Sequence, residues 1–285
     1  MTALDQLIDL DRYPLDRPTS TGYLAAVEAA REQLRADGCA VVADLLRPDA
    51  IAVVHDEILQ RKGTTHYSTQ NINPYFHVDA DPAYPERHPV NTFIERSSGF
   101  IPGDSWERGC ATDVLFRSVE LTRFIADCLE VPHLHCYADP LAGLTANILD
   151  PGQQFTWHFD TNDFAVTVLI DEADDGGLFE YVPMIRTADD ENFAAIQAVL
   201  EGVTADVRTL TLRPGDMQIF RGRYSLHRVT RVAASSRPRH AAIFAYTQEP
   251  NVIGRLERTL QLFGRALPAH EAAERERVRS DALID

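Results

Sequence analysis

The segment Trp157-His158-Phe159-Asp160, with His227 and the arginines Arg237 and Arg239 further along the chain, gathers the side chains best suited to chemistry in this sequence. Two imidazoles and one carboxylate on a rigid face can hold Fe(II) from three sides and leave three positions for a co-substrate and oxygen. An arginine shortly after the second histidine suits a dicarboxylate co-substrate, because a planar guanidinium binds a carboxylate through two parallel hydrogen bonds. This set points to oxidative chemistry.

An H-x-D triplet is weak evidence by itself. The chain has ten His, and at ordinary Asp frequency about one such triplet arises by chance. A second triplet, His77-Val78-Asp79, and an H-x-H, His133-Leu134-His135, are rivals. The first lies in YFHVDADPAYPERHP, whose Pro and Asp read as a loop, and a loop holds chelating side chains less rigidly than a sheet does. The second fits a strand, but nothing downstream completes it better than it completes the 158 to 160 pair. On a strand, residues i and i+2 share a face, so His158 and Asp160 would point together while Phe159 turns away. His227 lies in SLHRVT, at the start of a late strand, and completes the triad only if the fold brings those strands together.

The elements that must position these residues follow from periodicity. Leu24, Val27, Ala30 and Leu34 recur at helical spacing, and Gly38 stands where that helix would stop. CAVVADL (39 to 45) reads as a short strand. Residues 47 to 61 form a second helix with Pro48 and Asp49 in its first turn. The stretch 64 to 105 has no sustained period and predicts long loops with short strands, and 117 to 129 predicts one more amphipathic helix. Strands then dominate: LTANIL (144 to 149), FTWHFD (155 to 160), FAVTVLI (164 to 170), LFEYVP (178 to 183), VRTLTL (207 to 212), MQIF (217 to 220) and HAAIFAY (240 to 246). They are short, β-branched or aromatic, and separated by turns such as PGQQ, DDGG and RPGD. One helix, 189 to 201, is inserted among them.

This pattern predicts a mainly β fold with flanking helices (α+β), a β sandwich or jelly roll. A single domain over 1–285 is the economical division. It has a helical N-terminal support at about 20–130, a jelly-roll core at about 135–250 and a C-terminal extension at 251–285. With 45% hydrophobic residues the chain can bury a substantial core. A net charge of −16 argues against a nucleic-acid backbone or an anionic membrane as partner and favours a small molecule. Cys39, Cys110, Cys128 and Cys136 have no C-x-x-C spacing, so reduced, buried thiols are expected. The N-terminus has acids early and no apolar h-region, and no run approaches a membrane span, so the expected location is cytoplasmic. Oligomeric state is not encoded in any of these patterns.

The stretches ADPLAGLTANILDPGQQFTWHFDTNDFAVTVLI (138 to 170), GGLFEYVP (176 to 183), RPGDMQIFRGRYSLHRVTRV (213 to 232) and RPRHAAIFAY (237 to 246), with RHPVNTFIERSSGF (87 to 100), carry a resemblance over roughly residues 20 to 265. In that order they resemble the Fe(II)/2-oxoglutarate-dependent oxygenase superfamily. More narrowly, they are similar to the group that includes the free-amino-acid radical halogenases and related hydroxylases. The resemblance implies a double-stranded β-helix of the cupin-like kind, with His158, Asp160 and His227 as ligands of catalytic iron and with 2-oxoglutarate and O2 as co-substrates. It also implies an arginine on the distal carboxylate of 2-oxoglutarate. Arg239, which opens a strand, is preferred over Arg237 in the preceding turn. In the halogenases a small residue replaces the carboxylate ligand and leaves room for chloride. Asp160 is present here, which implies hydroxylation, desaturation or oxidative cyclisation instead.

A free amino acid or similar small amine is the substrate the resemblance implies. Arg96, in ERSSGF, is the candidate for its carboxylate, and Asn147, Thr161 and Asn162 are candidate polar contacts near the metal. Trp157 and Phe159 are expected to pack and hold the metal strand. Gly176 and Gly177 are expected in a tight turn, and the acids Asp171, Glu172, Asp174 and Asp175 in a solvated loop. Two other functions fit the same fold: a catalytically silent jelly-roll binding module, and a cupin-like metal-dependent hydrolase or isomerase that needs no dicarboxylate anchor.

Overall fold

The computed structural model describes residues 3–162, 164–276 and 283–284. The first half of the chain contains α1 (Ala3–Leu7), α2 (Thr21–Asp37), β1 (Cys39–Val42), α3 (Pro48–Arg61), β2 (His66–Ile72), β3 (Ile94–Ile101), α4 (Ala111–Arg117), α5 (Val119–Leu129) and β4 (His135–Cys136). The second half contains β5 (Leu144–Leu149), β6 (Phe155–His158), β7 (Ala165–Asp171), β8 (Phe179–Val182), α6 (Phe193–Leu200), β9 (Arg208–Leu210), β10 (Met217–Phe220), β11 (Leu226–Val229), β12 (Arg239–Thr247), α7 (Leu256–Phe263) and α8 (Pro268–Glu276).

The strands form two facing antiparallel sheets. The larger runs β1-β10-β7-β12-β5-β3-β2, with β4 on the end of β12, and the smaller runs β6-β11-β8-β9. From β5 onward the strands alternate between the sheets, except that β8 and β9 are neighbours in the smaller one, the double-stranded β-helix arrangement, so the expected mainly β, jelly-roll fold is the one observed. Alternation along each strand divides the core into layers. Ala146, Ile148, Val166, Val168, Met217, Ile219, Ala242 and Phe244 face outward from the large sheet and pack with Val27, Leu34, Val54 and Ile58 of α2 and α3. Leu149, Phe179, Tyr181, Phe220 and Val229 pack as a separate cluster between the sheets. Each such Val, Leu, Ile, Met or Phe side chain contributes about 1.5–3 kcal/mol on burial.

Local chemistry sets the element ends. Ser20 Oγ accepts from the Tyr23 amide at 3.3 Å to start α2, and Gly38 ends it in the left-handed region at φ 63°. The helix expected over 117 to 129 is α5, which begins at Val119 because Ser118 ends the preceding α4 and its Oγ accepts the Leu121 amide at 3.1 Å. The inserted helix is shorter than expected and begins at Phe193, after Asn192 at φ 54°. Gly176 and Gly177 form the expected turn at φ 73° and 64°; a Cβ on Gly176 would run into the Arg231 carbonyl.

Two expectations need correction. Residues 64 to 105 contain full-length strands, β2 and β3, paired from His66 with Phe100 to Ile72 with Ile94, and β3 joins the large sheet beside β5. Their sequences, HYSTQNI and IERSSGFI, are polar enough to hide a period-2 pattern, and pairing rather than hydrophobicity defines them. The strand expected over 155 to 160 stops at His158, so Asp160 is not placed by strand alternation. All four cysteines are free. No described helix is long and apolar enough to cross a membrane.

Candidate metal centre

His158 is the last residue of β6 and His227 the second of β11, and the two are directly paired across the small sheet. Their rings lie 4.0 Å apart, centroid to centroid, facing between the sheets. Asp160 reaches the same point from beyond the strand. Its amide donates to the Gly222 carbonyl at 3.1 Å, and the Phe159 amide donates to the Pro74 carbonyl at 2.9 Å, so two backbone bonds fix the turn that aims the carboxylate. Asp160 Oδ1 stands 3.5 Å from His227 Nε2 and 3.9 Å from His158 Nε2. The three side chains offer one ligand atom each, all within 4.8 Å of one another.

The hydrogen bonds around the triad select the ligand atoms. His158 Nδ1 donates to the Thr156 carbonyl at 2.7 Å, and His227 Nδ1 donates to the Ser225 carbonyl at 2.9 Å. With both Nδ1 atoms committed, each Nε2 presents its lone pair to the common point, the tautomer a metal requires. Burial, and next the neighbouring His227, hold His158 well below the usual imidazole range, which keeps it neutral. Burial by itself would raise the Asp160 carboxyl, but the neighbouring imidazoles of His227 and His158 outweigh it and hold the group below the usual carboxylate range. Asp160 Oδ2 is buried with no partner among the described residues. An orphaned carboxylate oxygen beside two aimed imidazole lone pairs fits a divalent cation.

Packing holds this constellation still. Trp157 and Phe159 point to the other side of the small sheet, into a cluster with Ile185, Ile196 and Leu226. The Arg228 guanidinium lies 4.5 Å over Trp157, and that of Arg186 3.8 Å over Phe159. Gly222 has no distinguishing motif, yet a Cβ there would run into Asp160 Oδ2 and stand 2.6 Å from its Cγ. Gly222→Ala is therefore expected to displace the carboxylate and weaken divalent-cation affinity about 10- to 100-fold, the scale typical of residues that orient ligands; calorimetric titration with Mn(II) or Co(II) would show it.

The two candidate anchoring arginines have different environments. Arg237 is exposed and ion-paired, its Nε donating to Asp174 Oδ1 at 2.9 Å and its amide to Asp174 Oδ2 at 3.0 Å. Arg239, at the start of β12, is 4% exposed beside Gly177 and Val232. No acid among the described residues pairs with it, and burial alone lowers its guanidinium to about 10, which leaves it charged at neutral pH. A buried, unpaired cation of this kind is costly unless an anion joins it.

A cavity of about 150 Å³ opens onto His158 and Asp160. Phe76, Phe100, Phe155, Ile243, Leu262 and Phe263 give it apolar walls, and Thr161 and Asn162 also line it. Asn147 is buried on β5, its side-chain amide donating to the Gly99 carbonyl at 3.3 Å, and is not part of that wall. Arg96 is fully buried, donates to Ser68 Oγ and to the Gln261 carbonyl, and keeps Nε and Nη1 without partners among the described residues. It stands behind Phe155, its Cζ 5.7 Å from that ring, and not at the cavity surface. The guanidiniums on the wall are Arg255 and Arg258, at the start of and within α7. Sequence reading missed both, since RLERTLQLF carries only a helical period and no ligand motif. Neither rival triplet joins a three-ligand cluster among the described residues; the one other such cluster is His55, Asp171 and His240. Asp171 thus stands apart from the solvated acids with which its sequence grouped it.

Comparison with known proteins agrees with this architecture. The 2OG-Fe(II) oxygenase family oxidoreductase from Burkholderia pseudomallei superposes with a TM-score of 0.54 at 13% identity, over 79% of this chain and 92% of that one. The non-heme alpha ketoglutarate dependent epimerase SnoN from nogalamycin biosynthesis gives 0.52 at 14% identity, over 79% and 81%. AviO1 from Streptomyces viridochromogenes Tue57 gives 0.51 at 19%, over 78% and 95%. At these identities the likeness is one of fold. No curated protein sequence matches the chain. The family model HalD, Halogenase D, matches residues 106–258. That stretch spans β5 to β12 and all three triad residues and makes up more than half of the sequence, so the chain belongs to the Halogenase D family.

Proposed function

We propose that this protein is an Fe(II)- and 2-oxoglutarate-dependent oxygenase that oxidises an unactivated C–H bond of a free amino acid or similar small amine, by hydroxylation, desaturation or oxidative cyclisation. The observation that carries the reading is the convergence of His158 Nε2, His227 Nε2 and Asp160 within 4.8 Å, with both Nδ1 atoms tied to backbone carbonyls. His158, Asp160 and His227 would hold the metal. When bound, iron with 2-oxoglutarate and O2 supplies an oxidant able to remove hydrogen from carbon.

The protein's own residues would do the placing. Arg239 would take the distal carboxylate of 2-oxoglutarate, its charge kept available by the absence of a competing acid. Phe155, Phe179 and Phe220 pack around the imidazoles at 4.2 to 5.6 Å and exclude water from them. Thr161 and Asn162 would meet the substrate's polar end, and the aromatic walls its carbon chain, so that one C–H bond is aimed at the metal. The guanidinium of Arg258 would receive the substrate carboxylate at the wall. Arg96 would join it on rotation of Phe155, which opens its two unpaired nitrogens to the cavity. Asp160 would take the coordination position that the halogenases resembled by this chain give to chloride, which supports oxygen insertion or hydrogen loss over halogenation.

The test is a screen of amino acids for substrate-stimulated succinate release. It should require both Fe(II) and 2-oxoglutarate and yield a product heavier by one oxygen or lighter by two hydrogens. If anaerobic protein with Fe(II) and 2-oxoglutarate gives no metal-to-ligand charge-transfer band, the reading fails and a silent binding module takes its place. With a substrate in hand, Arg258→Ala is expected to raise its KM about 10- to 100-fold, about 1.4–2.7 kcal/mol, while the KM for 2-oxoglutarate stays within about twofold.

A further inference from the structure

On the outer face of the large sheet, a second group of metal-type ligands meets away from the cavity. Asp171 ends β7, His240 is the second residue of β12, and His55 projects from the middle of α3. The β12–β7 register shifts between His240 and Ala241, and the shift sets His240 opposite Asp171. His240 Nδ1 lies 2.7 Å from Asp171 Oδ2, and His55 Nε2 lies 3.6 Å from the same oxygen. The two imidazoles are stacked, centroids 6.3 Å apart and planes 25° from parallel. One donor atom from each residue falls within 4.8 Å of the others.

A hydrogen bond between His240 and Asp171 would explain one edge of this group but not the rest. His240 is 2% exposed, and its Nε2 is buried with no partner among the described residues. A buried ring nitrogen left unpaired costs about 1–3 kcal/mol, and a missing ion is one reason for such an orphan to persist. His55 and Asp171 are partly open to solvent, so a cation has a way in.

We propose that His55, Asp171 and His240 form a second divalent-cation site, separate from the candidate iron centre. Two imidazoles and a carboxylate, partly exposed and with room for water, suit Zn(II) and neighbouring late first-row ions. None of the three residues lines the cavity at the first site. A cation there would tie α3 to β7 and β12 next to Arg239, adding a cross-link on the outside of the sheet whose inside is proposed to bind the co-substrate.

The test uses the full-length chain without an affinity tag, stripped with EDTA and equilibrated with Zn(II), with metal per chain counted after buffer exchange. Wild type should retain two equivalents, His55→Ala one, and Asp160→Ala one, the last remaining ion being that of the outer site. Asp160→Ala combined with His55→Ala should retain none. In the Asp160→Ala protein, Zn(II) should raise the melting temperature, and that rise should vanish once His55→Ala is added. His55 lies on a partly exposed helix face, so its removal leaves the core intact; Asp171→Asn gives the same reading from another ligand. A single wild-type equivalent that is lost in Asp160→Ala and kept in His55→Ala, or a second equivalent that survives both His55→Ala and Asp171→Asn, overturns the proposal. Because Asp160→Ala removes the first centre, failure of the iron reading and failure of this one give different counts.

Discussion

Asp160→Ala is expected to lower turnover more than about 1,000-fold, a loss of at least about 4 kcal/mol of transition-state stabilisation, while leaving the protein folded. The first part follows from geometry. Asp160 Oδ1 is the atom that both Nε2 lone pairs face, at 3.5 and 3.9 Å, and no other carboxylate joins that cluster among the described residues. The second part follows from Asp160 Oδ2, which is buried and has no partner among the described residues. Removing a buried polar atom that makes no bond costs the metal-free fold little and can stabilise it. A melting temperature for metal-free Asp160→Ala within a few degrees of metal-free wild type is therefore expected, relief of the unpaired Oδ2 offsetting the loss of Oδ1 beside His227, alongside loss of substrate-stimulated succinate release. Unchanged turnover would remove Asp160 from the metal centre. A collapse in metal-free stability would mean that the carboxylate holds the fold instead.

The second large effect separates the two arginines. Arg239→Ala is expected to raise the KM for 2-oxoglutarate about 100-fold, about 2.7 kcal/mol, within the range for losing one partner of a buried charge pair. Arg237→Ala should change it less than about twofold, because that side chain is exposed and already paired with Asp174. Arg239→Lys should recover only part of the loss, since a point charge replaces a two-pronged donor. The pH profile adds a check. Burial lowers the Arg239 guanidinium to about 10, and its charged form is the one that binds an anion. The KM should thus stay flat through neutral pH and rise as the pH climbs towards 10. If Arg239→Ala keeps full activity and needs no 2-oxoglutarate, a cupin-like hydrolase or isomerase becomes the better description.

Much of the fold was legible because period-2 burial is written locally. LTANIL and MQIF occupy the strands their patterns predict to the residue, and HAAIFAY needs only one more residue at each end. Strands β2 and β3 were not legible, since HYSTQNI is polar on both faces and becomes a strand only by pairing with β3. The helices α7 and α8 fell within a stretch the sequence marked only as an extension. There the periodicity is visible, but nothing in it reveals that Arg258 would stand at the wall of the cavity.

The site divides in the same way. Strand alternation was the expected reason for His158 and Asp160 to converge, yet β6 ends at His158. The bond from the Asp160 amide to the Gly222 carbonyl, and the missing side chain at Gly222, bring the carboxylate round instead. Gly222 lies far away in the sequence, so no local pattern could reveal it. Asp171 shows the reverse case: grouped by its neighbours with solvated acids, it is drawn by a register shift in β12 against His240 and His55.

What the sequence determined by itself was the chemistry on offer: two histidines, an aspartate and two arginines in a fixed order, on strands whose alternation builds a jelly roll. Only the tertiary structure decided which H-x-D faces a second histidine, which arginine is buried without a counter-ion, and which other residues form a second cluster. Side-chain chemistry and the burial period are properties of a few adjacent residues. Convergence and desolvation come from pairing between strands far apart in the chain, such as His158 with His227, and exist only once the sheets have closed.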